Sequence, residues 1–179
     1  MEITKLHIVL IGLMGSGKSS VGRQLATLTD LPYFDTDWMV EAQMRKSITE
    51  IFRQFGEARF RELEHEMICK AASETKPAVI ATGGGAVMNS ANREQLWQRG
   101  LVVYLQADAE LLFERTARDQ HRPLLHTADP QARIAELLQA RAPFYEQADL
   151  VVPIRHKNTA QICEEILRHW PPTGRGPDY

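Results

Sequence analysis

The sequence predicts an α/β domain built on a mostly parallel sheet, and three observations carry that prediction. Short apolar runs alternate with longer helix-patterned segments along most of the chain. The first apolar run, His7-Ile8-Val9-Leu10-Ile11, leads straight into G-L-M-G-S-G-K-S at 12–19. Two later runs end in residues that pack poorly but do chemistry well, Asp35-Thr36-Asp37 and Gly83-Gly84-Gly85. Ligands of open α/β sheets bind beyond the carboxyl ends of the strands, so all three endings fall on one side of the molecule.

Taken in order, strands are expected near 7–11, 32–35, 78–82, 101–105 and 149–154. Helices are expected near 17–29, 37–55, 57–74, 90–98, 108–117, 131–141 and 159–169. In the first helix Val21, Leu25 and Leu28 recur at helical spacing. In the helix from Glu57, Phe60, Leu63, Met67 and Ala71 form the core stripe, with Glu62, Glu66 and Lys70 on the solvated face. Arg61 and Glu64 lie on the border between these faces. That spacing suits either a rigid, partly buried pair or an ordinary surface ion pair. Pro143 is expected to interrupt the sixth helix and leave Arg141 at a bend. Pro153 suits a strand end or an edge.

The run at 12–19 fits the phosphate-binding pattern G-x-x-x-x-G-K-[ST] without mismatch, in its required setting of strand, turn and helix. Glycines let successive N–H groups turn inward to form an anion cradle, and the following helix adds its positive end. Gly15, Ser16, Gly17, Lys18, Ser19 and Ser20 are the candidate nucleotide-binding residues, with Lys18 supplying charge and Ser19 a hydroxyl for Mg²⁺. Asp35 and Asp37, two apart at a strand end, would project together beside this loop. One could hold a magnesium-bound water while the other accepts a proton from an attacking hydroxyl, and Asp37 could alternatively cap the next helix. Three glycines at 83–85 give up packing, which favours close approach of a substrate to the main chain. Arg122 sits in a polar segment with Pro123, where a solvated charge is the simpler reading.

Composition narrows the classes. The 179 residues are 44% apolar and 25% charged, enough for one globular core. A formal net charge of -2 provides no basic excess for tracking nucleic acid. The 2 cysteines lack C-x-x-C spacing and the 6 histidines lack metal-ligand spacing. No apolar run approaches the roughly 20 residues needed to cross a bilayer, and no secretory leader is evident at the N-terminus, so a cytoplasmic protein is expected. Residues 1–170 are expected to form a single domain. The Pro- and Gly-rich end, 171–179, is expected to be a disordered tail.

These pieces, in this order, resemble the shikimate kinase family. The matching segments are G-L-M-G-S-G-K-S-S (12–20), F-D-T-D (34–37), G-E-A-R-F-R-E-L-E (56–64), A-T-G-G-G (81–85), R-P-L-L (122–125) and R-A-P-F-Y-E-Q-A-D (141–149). The resemblance implies a P-loop NTPase three-layer α/β/α fold with a five-stranded parallel sheet in the order 2-3-1-4-5, like nucleoside monophosphate kinases. It implies ATP-dependent phosphorylation of the 3-hydroxyl of shikimate, with ATP as co-substrate and Mg²⁺ as cofactor, on the route to chorismate and the aromatic amino acids. By position, Lys18 holds phosphates, Ser19 ligates Mg²⁺ and Asp35 stands behind a bound water. Asp37, Arg61, the glycines 83–85 and Arg141 face shikimate. Arg115 packs on adenine, and Arg122 belongs to a lid at about 115–129. A monomer is implied. The competing readings are another small kinase of this type, for gluconate or a nucleoside monophosphate, and a non-catalytic nucleotide-binding regulator.

Overall fold

The computed structural model describes residues 6–117 and 127–170. Most of the expected lid, its Arg122 and the tail at 171–179 lie outside these residues. Five parallel strands, β1 (His7–Ile11), β2 (Tyr33–Asp35), β3 (Val79–Ala81), β4 (Gly100–Gln106) and β5 (Leu150–Pro153), form one sheet in the order β2-β3-β1-β4-β5. The expected order is therefore observed. Residues in the central strand β1 are all buried, as a continuous apolar run flanked on both sides requires. Edge strand β5 is buried chiefly at Val152, and Pro153 closes it at a position where a missing donor is tolerated.

Seven helices complete the described fold: α1 (Lys18–Thr29), α2 (Thr36–Met44), α3 (Ile48–Ala72), α4 (Ser90–Arg99), α5 (Ala109–Thr116), α6 (Pro130–Tyr145) and α7 (Thr159–His169). They sandwich the sheet, α1 packing with α7, α3 with α4 and α5 with α6. A second, smaller core of Val40, Ile51, Phe60, Leu63 and Met67 fastens α2 to α3.

Three expectations are corrected. The single helix expected over 37–55 is two, because Arg45 turns left-handed at φ 51° and Ser47 starts α3 with a reciprocal capping box to Glu50. The helices expected at 37–55 and 57–74 meet within α3, where only Gly56, at φ 81° and ψ 170°, departs from helical backbone. Pro143 does not stop α6, which continues to Tyr145. It stands so near the end that only the bond to Gln139 O is lost, and Arg141 projects from intact helix.

The left-handed Arg45 has a measurable consequence. A non-glycine residue there carries a steric penalty that glycine avoids. Arg45→Gly is expected to raise stability by about 0.5–1 kcal/mol, read as a higher urea midpoint at constant slope. A lowered midpoint contradicts this account of the corner.

Candidate active site

The turn after β1 is shaped by backbone that side chains rarely adopt. Gly15 and Gly17 take φ of 82° and 89°, and a Cβ on Gly15 would stand 2.8 Å from Thr116 Cγ2. Gly17 caps α1 without a side chain, and no acidic residue occupies the first turn. The first N–H groups of α1 are thus available to an anion, with the helix dipole behind them. Lys18 Nζ donates to Gly12 O at 2.8 Å, Leu13 O at 3.1 Å and Ser16 Oγ at 3.4 Å, folding its charge over the same loop. Arg115 reaches in from α5 and donates to Gly15 O at 3.4 Å. Gly15, Gly17, Lys18, Ser19, Ser20, Asp35, Asp37 and Arg115 border one chamber of 580 Å³.

Asp35 is the organiser of its rim. Its Oδ2 accepts from Ser19 Oγ at 2.9 Å and from Tyr33 Oη at 3.1 Å. Its Oδ1 accepts from the Asp37 and Trp38 amides, capping α2. The cap considered for Asp37 therefore belongs to Asp35, and Asp37 sits in the first turn of α2 rather than on the strand. Both carboxylates still face the chamber. A serine hydroxyl and a carboxylate in contact are hard oxygen donors of the kind a divalent cation prefers.

A second chamber of 260 Å³ opens beside the first. Asp37, Gly84, Met14, Glu41 and Ile48 border both. Its far side carries Arg61 from α3, Arg141 from α6, Glu64 and the glycines 83–85. Arg61 bonds Glu64 Oε2 at 2.9 Å and Glu57 Oε1 at 3.0 Å. Glu64 is only 1% exposed, so the rigid, partly buried alternative for the Arg61 pair holds. Arg141 is also buried, and its Nη1 has no hydrogen-bond partner. A sealed guanidinium N–H without an acceptor favours an anion at that point.

Two of the three glycines have a structural cause besides the close approach of a substrate. A Cβ on Gly83 would stand 2.6 Å from Glu64 Oε1 and 2.7 Å from Asp37 Oδ1. On Gly85 it would meet both Arg61 Nη atoms at 2.6 Å. Gly83 and Gly85 are buried under these functional groups, and only Gly84 stays partly open. Tyr145, stacked on Tyr104, donates its hydroxyl to Gly84 O at 2.5 Å and pins the turn.

Electrostatics single out Asp37. Its Oδ1 is sealed and without a hydrogen-bond partner. Burial, with the Glu64 and Asp35 charges adding, pushes its carboxyl from 3.8 up to about 7, against the pull of Lys18 and Arg61. Burial likewise raises Glu64, opposed by the Arg61 ion pair. A carboxyl raised to about 7 between the two chambers is suited to taking a proton at neutral pH.

Several chamber residues escaped the sequence reading. Phe60 was assigned to the core stripe, and it packs there, but with Phe52 at 4.9 Å it also walls the second chamber. Glu41 Oε1 accepts the Ile48 amide at 2.9 Å and ties α2 to the start of α3. The Ser47-to-Glu50 capping signature was the available signal for this corner.

A phosphate cradle joined through a carboxylate to a chamber with two arginines, on this sheet order, defines a small phosphate-loop kinase. The sequence profile of the shikimate kinase family matches residues 14–171. This chain belongs to the shikimate kinase family. A shikimate kinase of Mesorhizobium japonicum is 42% identical over 160 residues, 89% of this chain and 78% of its own. One from a Synechococcus species is 44% identical over 177 residues, 94% of this chain and 93% of its own. The shikimate kinase of Acinetobacter baumannii, solved in complex with shikimate, matches at a TM-score of 0.89 and 38% identity, with 93% of each chain covered.

Proposed function

We infer that this chain is a shikimate kinase, transferring the γ-phosphoryl group of ATP to the 3-hydroxyl of shikimate and releasing ADP and shikimate 3-phosphate. The observation that carries this reading is the junction of the two chambers at Asp37. ATP takes the larger chamber, its phosphates on the Gly15–Ser20 turn with Lys18 alongside, and Arg115 faces its base. Shikimate takes the smaller one, its carboxylate gripped by Arg61 and Arg141 and its ring over Gly84, with Gly83 and Gly85 carrying the charged groups. A guanidinium fork binds a carboxylate bidentately, and the unpartnered Arg141 Nη1 supports that role. Glu64 and Glu57 orient Arg61 for it.

The hydroxyl oxygen forms its bond to the γ-phosphorus as the bond to ADP breaks, and the hydroxyl proton passes to Asp37. Raised toward neutrality, that carboxyl is better matched to this task than an ordinary aspartate. Lys18 offsets charge spreading over the transferred group. Ser19 and Asp35 fit Mg²⁺, which when bound would neutralise part of the triphosphate charge. Arg122 is assigned to a lid over ATP on the resemblance alone. No helix among the described residues is long and apolar enough to cross a membrane. We place the enzyme in the cytoplasm as a monomer without a nucleic acid partner.

Calorimetric titration tests the assignment. Arg61→Ala and Arg141→Ala should each weaken shikimate binding by roughly ten- to a hundredfold, the worth of a charge-assisted hydrogen bond, with ATP affinity nearly unchanged. Equal losses for both ligands would refute the substrate-side placement.

A further inference from the structure

Tyr33, the first residue of β2, stands between α1 and the carboxylate that organises the nucleotide chamber. Its ring lies against buried Gly22 of α1, where a Cβ would come 2.5 Å from Tyr33 Cε2. Trp38 meets it at 6.2 Å with the two rings perpendicular, and Arg23 covers Trp38, its Cζ 5.2 Å from the ring centroid. A phenylalanine would fill this place equally well. What tyrosine adds is a hydroxyl, 3.1 Å from Asp35 Oδ2.

Asp35 is held from two sides. Its Oδ1 accepts the Asp37 and Trp38 amides at 3.1 and 3.4 Å, which fixes one end of the carboxylate. Its Oδ2 accepts Ser19 Oγ at 2.9 Å as well as Tyr33 Oη. A carboxylate only accepts, so both hydroxyls must spend their protons on Oδ2. Ser19, which borders the chamber, is left with its lone pairs to offer. The place of Oδ2 decides where those lone pairs point. Without the Tyr33 hydroxyl, Oδ2 would be held by Ser19 alone, the very group it has to orient.

Given Ser19 and Asp35 as the donors to the cation, we propose that Tyr33 is the positioning residue of that site. Its hydroxyl fixes Asp35 Oδ2 and, through it, turns the Ser19 proton away from a divalent ion. Partners of this kind behind a ligand commonly set metal affinity by ten- to a hundredfold. Tyr33 has no part in binding the nucleotide itself or shikimate.

The test reads metal binding without turnover. ADP is titrated by calorimetry into full-length wild type and Tyr33→Phe, in EDTA and at a series of Mg²⁺ concentrations. The Mg²⁺ concentration that half-completes the tightening of ADP should rise roughly ten- to a hundredfold in Tyr33→Phe. ADP affinity in EDTA and KM for shikimate should stay as in wild type, and kcat should recover at saturating Mg²⁺. A general loosening of the fold would move all of these together. Gly22→Ala keeps the hydroxyl but must shift the ring, so it should also raise the Mg²⁺ midpoint. Combined with Tyr33→Phe it should add nothing, because both changes break one contact. A wild-type midpoint in Tyr33→Phe overturns the proposal, and losses that add in the double variant overturn the route through the hydroxyl. Wild-type ADP affinity that ignores Mg²⁺ would contradict the roles of Ser19 and Asp35 themselves.

Discussion

Lys18→Ala is expected to leave no more than a few per cent of wild-type kcat in a protein that stays folded. The Lys18 ammonium bonds Gly12 O, Leu13 O and Ser16 Oγ, all within its own turn, and the residue is not in the buried core. Solvent can replace it at these carbonyls, so the far-UV circular dichroism should change little. Turnover should collapse, because charge spreading over the transferred phosphoryl group loses its nearest mobile cation, and losing one such group costs about 10²–10³ in kcat. Activity well above that level would place the γ-phosphate elsewhere.

Asp37→Asn should lower kcat by about 10²–10⁴ and change shikimate affinity much less, since an amide keeps the shape but cannot take up a proton. The pH dependence follows from the carboxyl's value of about 7 in the free enzyme. Below that pH the group is increasingly protonated and cannot act as a base, so wild-type kcat/KM falls on the acid side. Asp37→Asn should remove this limb. If Asp37 chiefly orients the hydroxyl, the limb persists and kcat stays within about tenfold of wild type.

Stability should move in the opposite sense. Between 3.8 and about 7 the folded chain binds the Asp37 proton more tightly than the unfolded chain, so stability falls as pH rises through that window. Asp37→Asn removes a buried charge and should be the more stable protein at pH 8, by on the order of 1–4 kcal/mol, with the difference gone by about pH 4. Equal urea midpoints for the two proteins at pH 8 would show that the carboxylate is not held at a cost.

The parts of this site legible in the sequence are those set by local backbone chemistry. The turn at 12–19 could be read because its glycines and lysine act within one segment. The sheet order could not be read that way and came from the resemblance, since register between distant strands leaves no local mark. Periodicity identified Phe60 as inward-facing but does not distinguish a core from the wall of a ligand chamber. The glycines at 83–85 signalled a close approach, yet the groups approaching come from α2 and α3, far away in sequence. Pro143 was expected to leave Arg141 at a bend, and the resemblance alone turned it toward the substrate. Arg141 borders the second chamber from unbroken helix, because a proline so close to the end of α6 forfeits little.

The central claim is that shikimate accepts the phosphoryl group where the two chambers meet. The most direct measurement is ADP release by the purified protein with ATP, Mg²⁺ and each of shikimate, quinate and gluconate. Release should depend on shikimate, match the formation of shikimate 3-phosphate mole for mole, and stay at background with gluconate. ADP release that is equal without shikimate, or greater with gluconate, would contradict the account.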